Sequence, residues 1–302
     1  MGCLIARFLG FFLLSFAAAP SNLPSTSDYE VALGVTVLDD DGKVAGNLTA
    51  ADFRIREDDQ EQRINSVTPA AEFPRTVALL LDVSSSRRGQ SPGAERGAAM
   101  AFLRGAVREK DTGMVVAFAG SADLFADLTS DRDELQRAVA RALGPEPRGS
   151  SAFLDAIQAV CERRLYGTRG SKSIVVVTDG VDTGSDVTPE QVVACAQHNQ
   201  ISIYVVRLPK GELRTSGSES RKASRVLRML VDETGGLQVQ VKKASEFDQA
   251  FMRIGAALDS QYVLKYTPTN TARDGSYRKV KVESRRKGIK ILTRKGYYAP
   301  GG

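Results

Sequence analysis

The sequence predicts a doubly wound, mostly parallel α/β sheet inserted into a small β-sandwich that the N- and C-terminal segments build together. Three observations lead there. Short continuous apolar runs alternate with helical stripes of period 3.6 through the middle of the chain, the pattern of a parallel sheet covered on both faces. Strict apolar/polar alternation marks both ends instead, as expected of half-buried antiparallel strands. Neither end alone buries enough apolar surface to stand by itself. A length of 302 residues, 42% of them hydrophobic and 25% charged, leaves room for two domains.

Residues 1–21 begin with one Arg, an apolar stretch and then small residues, the layout of a secretory signal peptide. The apolar part is shorter than the ~20 residues a bilayer span needs, so the mature protein is expected to be secreted, periplasmic or in the cell envelope. Val31, Leu33, Val35 and Val37 alternate as a strand, Asp41-Gly42 makes a turn, Phe53 and Ile55 lie on a second strand, and Ile64 begins a third. This gives a small antiparallel unit, and residues 29–72 are assigned to the sandwich.

Residues 73–260 form the inserted domain. Its apolar runs are Val77 to Leu81, Met114 to Phe118, Ile174 to Val177, Ile201 to Val206 and Leu237 to Val241. Leu124 to Leu128 follows a strand too closely for a crossover helix and is read as an antiparallel edge hairpin. Helical stripes run through Ala99 to Val107, Leu135 to Leu143, Phe153 to Cys161, Val226 to Val231 and Phe247 to Leu258. Lys210 to Ala223 is read as a polar loop. Alternation returns in residues 261–302, with Tyr262, Leu264 and Tyr266, then Val280 and Val282, then Ile289 and Ile291, completing the sandwich.

Export removes Cys3 and leaves Cys161 and Cys195. Two cysteines make no disulfide framework; they read as small buried side chains, with an inter-helix disulfide in an oxidising compartment as the alternative. A formal charge of +5 with no accompanying motif gives no reason to invoke nucleic acid. The basic set Lys279, Lys281, Arg285, Arg286, Lys287, Lys290, Arg294 and Lys295 reads as a solvated β face, with contact to an anionic cell-surface polymer as the alternative.

Ligands of open α/β sheets gather at the carboxyl ends of the parallel strands. Three polar clusters fall there: Asp82, Ser84 and Ser86 after the first run, Gly149-Ser150-Ser151 before the third helix, and Thr178-Asp179-Gly180 after the run at Ile174. Hydroxyls with one or two carboxylates suit a hard cation such as Mg²⁺, which takes about six oxygens and keeps several waters. Asp182 and Asp186 read as solvated loop acids, and Asp155 as a helix first-turn acid favoured by the dipole.

In this order and on this pattern, DVSSS, GSSAFLDA and TDG resemble the metal ion-dependent adhesion site of von Willebrand factor type A domains. The resemblance implies a metal held by Asp82, Ser84, Ser86, Ser151 and Asp179, where Ser151 stands in place of the family's Thr. DFRIREDDQEQRINSV, LVDETGG, QYVLKYTP and RKGYYAP are similar to the flanks of a group of exported bacterial members. The implied function is a non-enzymatic protein-binding or adhesion module in which Mg²⁺, or Mn²⁺ or Ca²⁺, receives a carboxylate from a protein partner.

Two other classes compete. A Mg²⁺-dependent phosphoester-processing enzyme needs a nucleophilic acid or general base that Ser84 and Ser86 do not offer, and a metal-free scaffold leaves the three loops without a purpose. Gly89-Gln90-Ser91-Pro92-Gly93 matches a hydrolase nucleophile elbow. That fold, however, needs a backbone N–H on the residue after the serine, and Pro92 has none. His198, the single histidine, reads as a surface residue at a helix end.

Overall fold

The computed structural model describes residues 29–42, 45–87, 92–147, 149–209 and 217–301. The signal-peptide segment and the residues Gly89 to Ser91 lie outside the described residues. In chain order the elements are β1 (Val31–Asp39), β2 (Phe53–Glu57), β3 (Gln60–Gln62), β4 (Ile64–Pro69), β5 (Arg75–Asp82), α1 (Gly93–Ala106), β6 (Thr112–Phe118) and β7 (Ala122–Thr129). Then follow α2 (Arg132–Ala142), α3 (Phe153–Arg163), β8 (Ser171–Thr178), α4 (Pro189–His198), β9 (Ile201–Arg207), α5 (Gly217–Thr234), β10 (Gln238–Gln240) and α6 (Phe247–Asp259). The chain closes with β11 (Gln261–Tyr266), β12 (Tyr277–Ser284), β13 (Ile289–Thr293) and β14 (Gly296–Tyr298).

The inserted region holds a six-stranded sheet in the order β10-β9-β8-β5-β6-β7, parallel except for the β6–β7 hairpin at one edge. The short apolar runs are the central strands, and alternation along β5 shows why they are apolar throughout. Val77, Leu79 and Leu81 face α1, α2 and α6 on one side. Ala78 and Leu80 face α3, α4 and α5 on the other. Both faces are dry, so no residue of β5 has a solvent side.

The terminal segments form two four-stranded sheets, β13-β1-β11-β4 and β14-β12-β2-β3, packed around Leu33, Val35, Phe53, Ile55, Leu264 and Tyr266. The N-terminal strands are not a unit of their own. β1 pairs with β11 and β13, while β2 pairs with β3 and β12, so each half places strands in both sheets. Asp58 and Asp59 turn β2 into β3 with φ of 46° and 66°, the left-handed pair of a tight hairpin.

Three expectations are corrected. Gly217 to Ala223 belong to α5 and not to a loop, because buried Ala223 extends the stripe of Leu227, Leu230 and Val231 one turn earlier while its neighbours face water. Cys161 and Cys195 are bridged across α3 and α4 with Cα atoms 6.4 Å apart, so the disulfide replaces the reading of two separate thiols. The basic set departs from a solvated face at one residue: Arg294 is buried, whereas the other seven are exposed, with Lys281, Arg285, Arg286 and Lys295 among them each paired with a carboxylate. Among the described residues no helix is long and apolar enough to cross a membrane.

Candidate metal centre

β5 and β8 are neighbours in the sheet, with Leu81 opposite Val177, so both strands end at one place. The chain runs outward from β5 to β6 and β7 on one side, then returns through α2 and α3 to β8 on the other. The gap between β5 and β8 is therefore the topological switch point, where loops diverge and leave a crevice.

Asp82 ends β5 fully buried. Its Oδ1 accepts the N–H of Ser84 at 2.9 Å and its Oδ2 accepts the hydroxyl of Thr178 at 2.7 Å. Burial pushes its carboxyl up to about 6 despite those bonds, and the charge of Asp179 adds to the rise. A carboxylate so placed is short of positive charge. The chain then enters a single 3-10 turn over Ser85–Arg87, which brings the hydroxyls of Ser84 and Ser86 to 3.1 Å of each other.

Two bonds fix that turn from behind. Arg87 Nη1 donates to the Asp82 carbonyl at 2.7 Å, and the Arg87 guanidinium pairs with Glu95 of α1, both side chains being buried. Sequence reasoning passed over this pair, although an Arg and a Glu flanking one loop were the available signal.

The loop before α3 lies against this one, with Ser85 N–H donating to the Gly149 carbonyl at 3.1 Å. It is also tied to the loop after β8: Ser151 N–H donates to Thr183 Oγ1 at 3.1 Å, and the Ser151 carbonyl accepts from Thr183 N–H at 2.9 Å and from Gly184 N–H at 3.0 Å. These bonds use the backbone of Ser151 and leave its side chain over. Ser151 Oγ is buried with no hydrogen-bond partner, an arrangement that costs about 1–3 kcal/mol unless something fills it.

Asp179 follows β8, accepts Val181 N–H at Oδ1 (2.9 Å) and is only 7% exposed. Gly180 beside it has φ of +83°, and a Cβ there would sit 2.5 Å from Leu227 Cδ1, so the turn needs glycine. Asp182 is no solvated acid: it accepts Leu154 N–H at the start of α3 and the hydroxyl of Ser185 at 2.7 Å. Asp155, in the first turn of α3 as expected, also reaches across to accept the N–H groups of Asp186 and Val187. Asp186 itself is exposed. The acids near the site thus divide into Asp82 and Asp179, buried at the ends of β5 and β8, and Asp155 and Asp182, which brace the loops.

The structure accordingly gathers Asp82, Ser84, Ser86, Ser151 and Asp179 on three loops bonded to one another. Among the described residues no group of three or more His, Cys, Asp or Glu is arranged for a metal ion. What is present is two buried acids with three hydroxyls, one of them orphaned, and that set fits a hard cation that keeps some of its water. It does not fit a soft metal, which wants thiolate or imidazole. His198, read as a lone surface residue, stacks on Tyr298 with ring centroids 3.8 Å apart and has no part in the site.

Residues 76–253 match the family described as the von Willebrand factor type A domain. No curated protein matches the chain. Among solved structures, proximal thread matrix protein 1 from the mussel byssus has a TM-score of 0.53 at 15% identity, covering 65% of this chain and 49% of that one. A second structure of that protein, described with a zinc-occupied MIDAS motif, has a TM-score of 0.51 at 15% identity over 63% and 46% of the two chains. The vWF domain of the type V pili tip protein Mfa5 from Porphyromonas gingivalis gives 0.45 at 13% identity, over 62% and 95%. This chain spans about half the length of the mussel protein, and at these identities the likeness is one of fold.

Proposed function

The chain belongs to the von Willebrand factor type A domain family, and from that premise we propose that it is a divalent-cation-dependent binding module, not an enzyme. Asp82, Ser84, Ser86, Ser151 and Asp179 hold the cation, Mg²⁺ or in its place Mn²⁺ or Ca²⁺. The observation that carries this reading is Ser151 Oγ, buried and unpartnered on a loop hydrogen-bonded to the loops that follow Asp82 and Asp179. One structure of the mussel byssus protein is described with a zinc-occupied MIDAS motif, and the proposal extends occupancy of that kind to this chain.

When bound, the cation supplies an open coordination position for a carboxylate from a protein partner. The residues of the chain do the rest. Thr178 and the Ser84 N–H hold Asp82 in one orientation, the Arg87–Glu95 pair stiffens the loop that carries Ser84 and Ser86, and Asp155 with Asp182 braces the loop that carries Asp179. Ligands fixed in advance lose little freedom on binding. The hydroxyls of Ser84 and Ser86 bond each other, which favours ligation over nucleophilic chemistry.

The same proposal divides the chain into a binding domain, residues 73–260, and a discontinuous sandwich, residues 29–72 and 261–302, with residues 1–21 a signal peptide. Location outside the cytoplasm is supported by that leader and by the Cys161–Cys195 bridge, which persists in an oxidising compartment. A role for anionic cell-surface polymer has less support, because carboxylates already match much of the basic set.

Calorimetric titration with Mg²⁺ and Mn²⁺ is the test. The native chain should bind one ion, and Asp82→Ala should lose binding while keeping its fold, since the acid stands at a loop end and its removal relieves repulsion with Asp179. Unchanged affinity in Asp82→Ala removes the reading.

A further inference from the structure

At the opposite end of the parallel sheet from Asp82, the starts of β8 and β9 face β1 and β11 of the sandwich across a cavity of about 200 Å³. Its walls include Phe73, Ile201 and Val263, and three cations line it: Lys172, Lys265 and Arg294. Lys265 is neutralised by Glu30 at 2.9 Å. Among the described residues, Lys172 and Arg294 have no carboxylate within ion-pair distance.

Arg294 is the unusual one. It is 93% buried by its 7% exposure, its Nη2 donates to the Ala32 carbonyl at 2.8 Å, and its Nε is buried with no acceptor. Its guanidinium also lies over the ring of Tyr297, 5.7 Å from the centroid. A guanidinium taken out of water without a counter-ion is costly. The cost shows at both cations. Burial brings Arg294 down to about 10, and burial together with the Arg294 charge lowers Lys172. A single carbonyl does not compensate a buried charge, whereas an anion entering the cavity would offset the charge of both groups.

We propose that this interdomain cavity binds a small organic carboxylate, its head held by Arg294 and Lys172 and its apolar body against Phe73, Ile201 and Val263. The planar guanidinium fork matches a carboxylate. Apolar walls with a few convergent polar groups are the make-up of a small-molecule site, and the volume lies below the usual range for drug-sized ligands, so the ligand has roughly ten non-hydrogen atoms. The site is independent of the metal centre, from which the whole length of β8 separates it. A ligand here touches both domains and so fixes their relative placement.

The mature chain is titrated in EDTA, so that no metal-bound carboxylate contributes, with benzoate, hexanoate, neutral benzamide and inorganic phosphate in separate calorimetric runs. Benzoate and hexanoate should bind at least roughly tenfold tighter than benzamide, the fold-change that one charge-assisted hydrogen bond carries. Lys172→Gln, which breaks no ion pair, should weaken benzoate by a similar factor, and Arg294→Lys should weaken it further by losing the fork. Lys172→Gln carries the test if Arg294→Lys does not fold. Equal binding of benzoate and benzamide, phosphate binding without carboxylate binding, no binding of any probe, or a Lys172→Gln variant with native benzoate affinity each overturns the proposal.

Discussion

Arg75 Nη2 donates to Asp259 Oδ1 at 2.8 Å, joining the first residue of β5 to the last residue of α6. These are the entry and exit of the inserted region, and β4 and β11, the strands on their sandwich side, pair with Pro69 opposite Tyr262. The two crossings are thus side by side. Around the pair, Arg75 N–H donates to Asp111 Oδ1 at 2.9 Å, and Tyr204 of β9 meets Thr36 of β1 and Gln261 of β11 through its hydroxyl, at 3.2 and 2.7 Å. The junction is a buried polar network more than a hinge.

The two acids that Arg75 meets should differ in worth. Asp259 is 62% exposed, so Asp259→Ala should cost no more than about 1 kcal/mol. The Asp111 side chain is fully buried, and Asp111→Ala should cost about 2–4 kcal/mol because it removes the acceptor of the Arg75 and Arg108 backbone N–H groups together with the carboxylate paired to the Arg108 side chain. Urea unfolding of the two variants checks the ranking.

Opening the Cys161–Cys195 bridge frees a 34-residue separation. Reduction, or the double change Cys161→Ala with Cys195→Ala, should lower stability by about 2–4 kcal/mol. Denaturant midpoints with and without reductant measure it.

Glycine substitutions separate the site from the rest of the domain. Gly180→Ala forces a left-handed φ and a clash with Leu227, so it should destabilise by about 1–3 kcal/mol and shift Asp179, weakening Mg²⁺ binding. Gly255→Ala, in α6 with open space around it, should stabilise by about 0.5–1 kcal/mol and leave Mg²⁺ binding unchanged. Thermal unfolding paired with Mg²⁺ titration reads both effects.

Asp274 governs the acid behaviour of the hairpin before β12. The Ser276 N–H at 2.9 Å, the Ser276 side chain and then Arg278 hold its carboxyl down to about 2. The folded value lies below the unfolded one of about 3.9, so this contribution is present above pH ~4 and is lost as pH falls through ~2. Carboxyl-carbon NMR titration should give the depressed value. Ser276→Pro, which removes the N–H donor, should return it toward the ordinary range.

Local pattern alone determined much of this protein. Period-2 and period-3.6 apolar spacing are properties of a single element, so the parallel strands, most of the helices, the edge hairpin and the three loops bearing Asp82, Ser151 and Asp179 were legible before any contact was known. Pattern alone starts α5 about two turns late because its first turns carry a single apolar residue, Ala223, and periodicity needs several. Other features depend on which surfaces meet, and these only the tertiary structure decided. β1 could not be assigned to β11 and β13 rather than to β2, since alternation marks a buried face but not the partner that covers it. The cysteines could not be known to face each other across two helices 34 residues apart. Arg294 looked like one more cation on a basic strand until the sandwich and the inserted domain closed over it. The orphaned hydroxyl of Ser151 exists because neighbouring loops consume its backbone groups, a fact of three-dimensional packing that spacing along the chain does not encode.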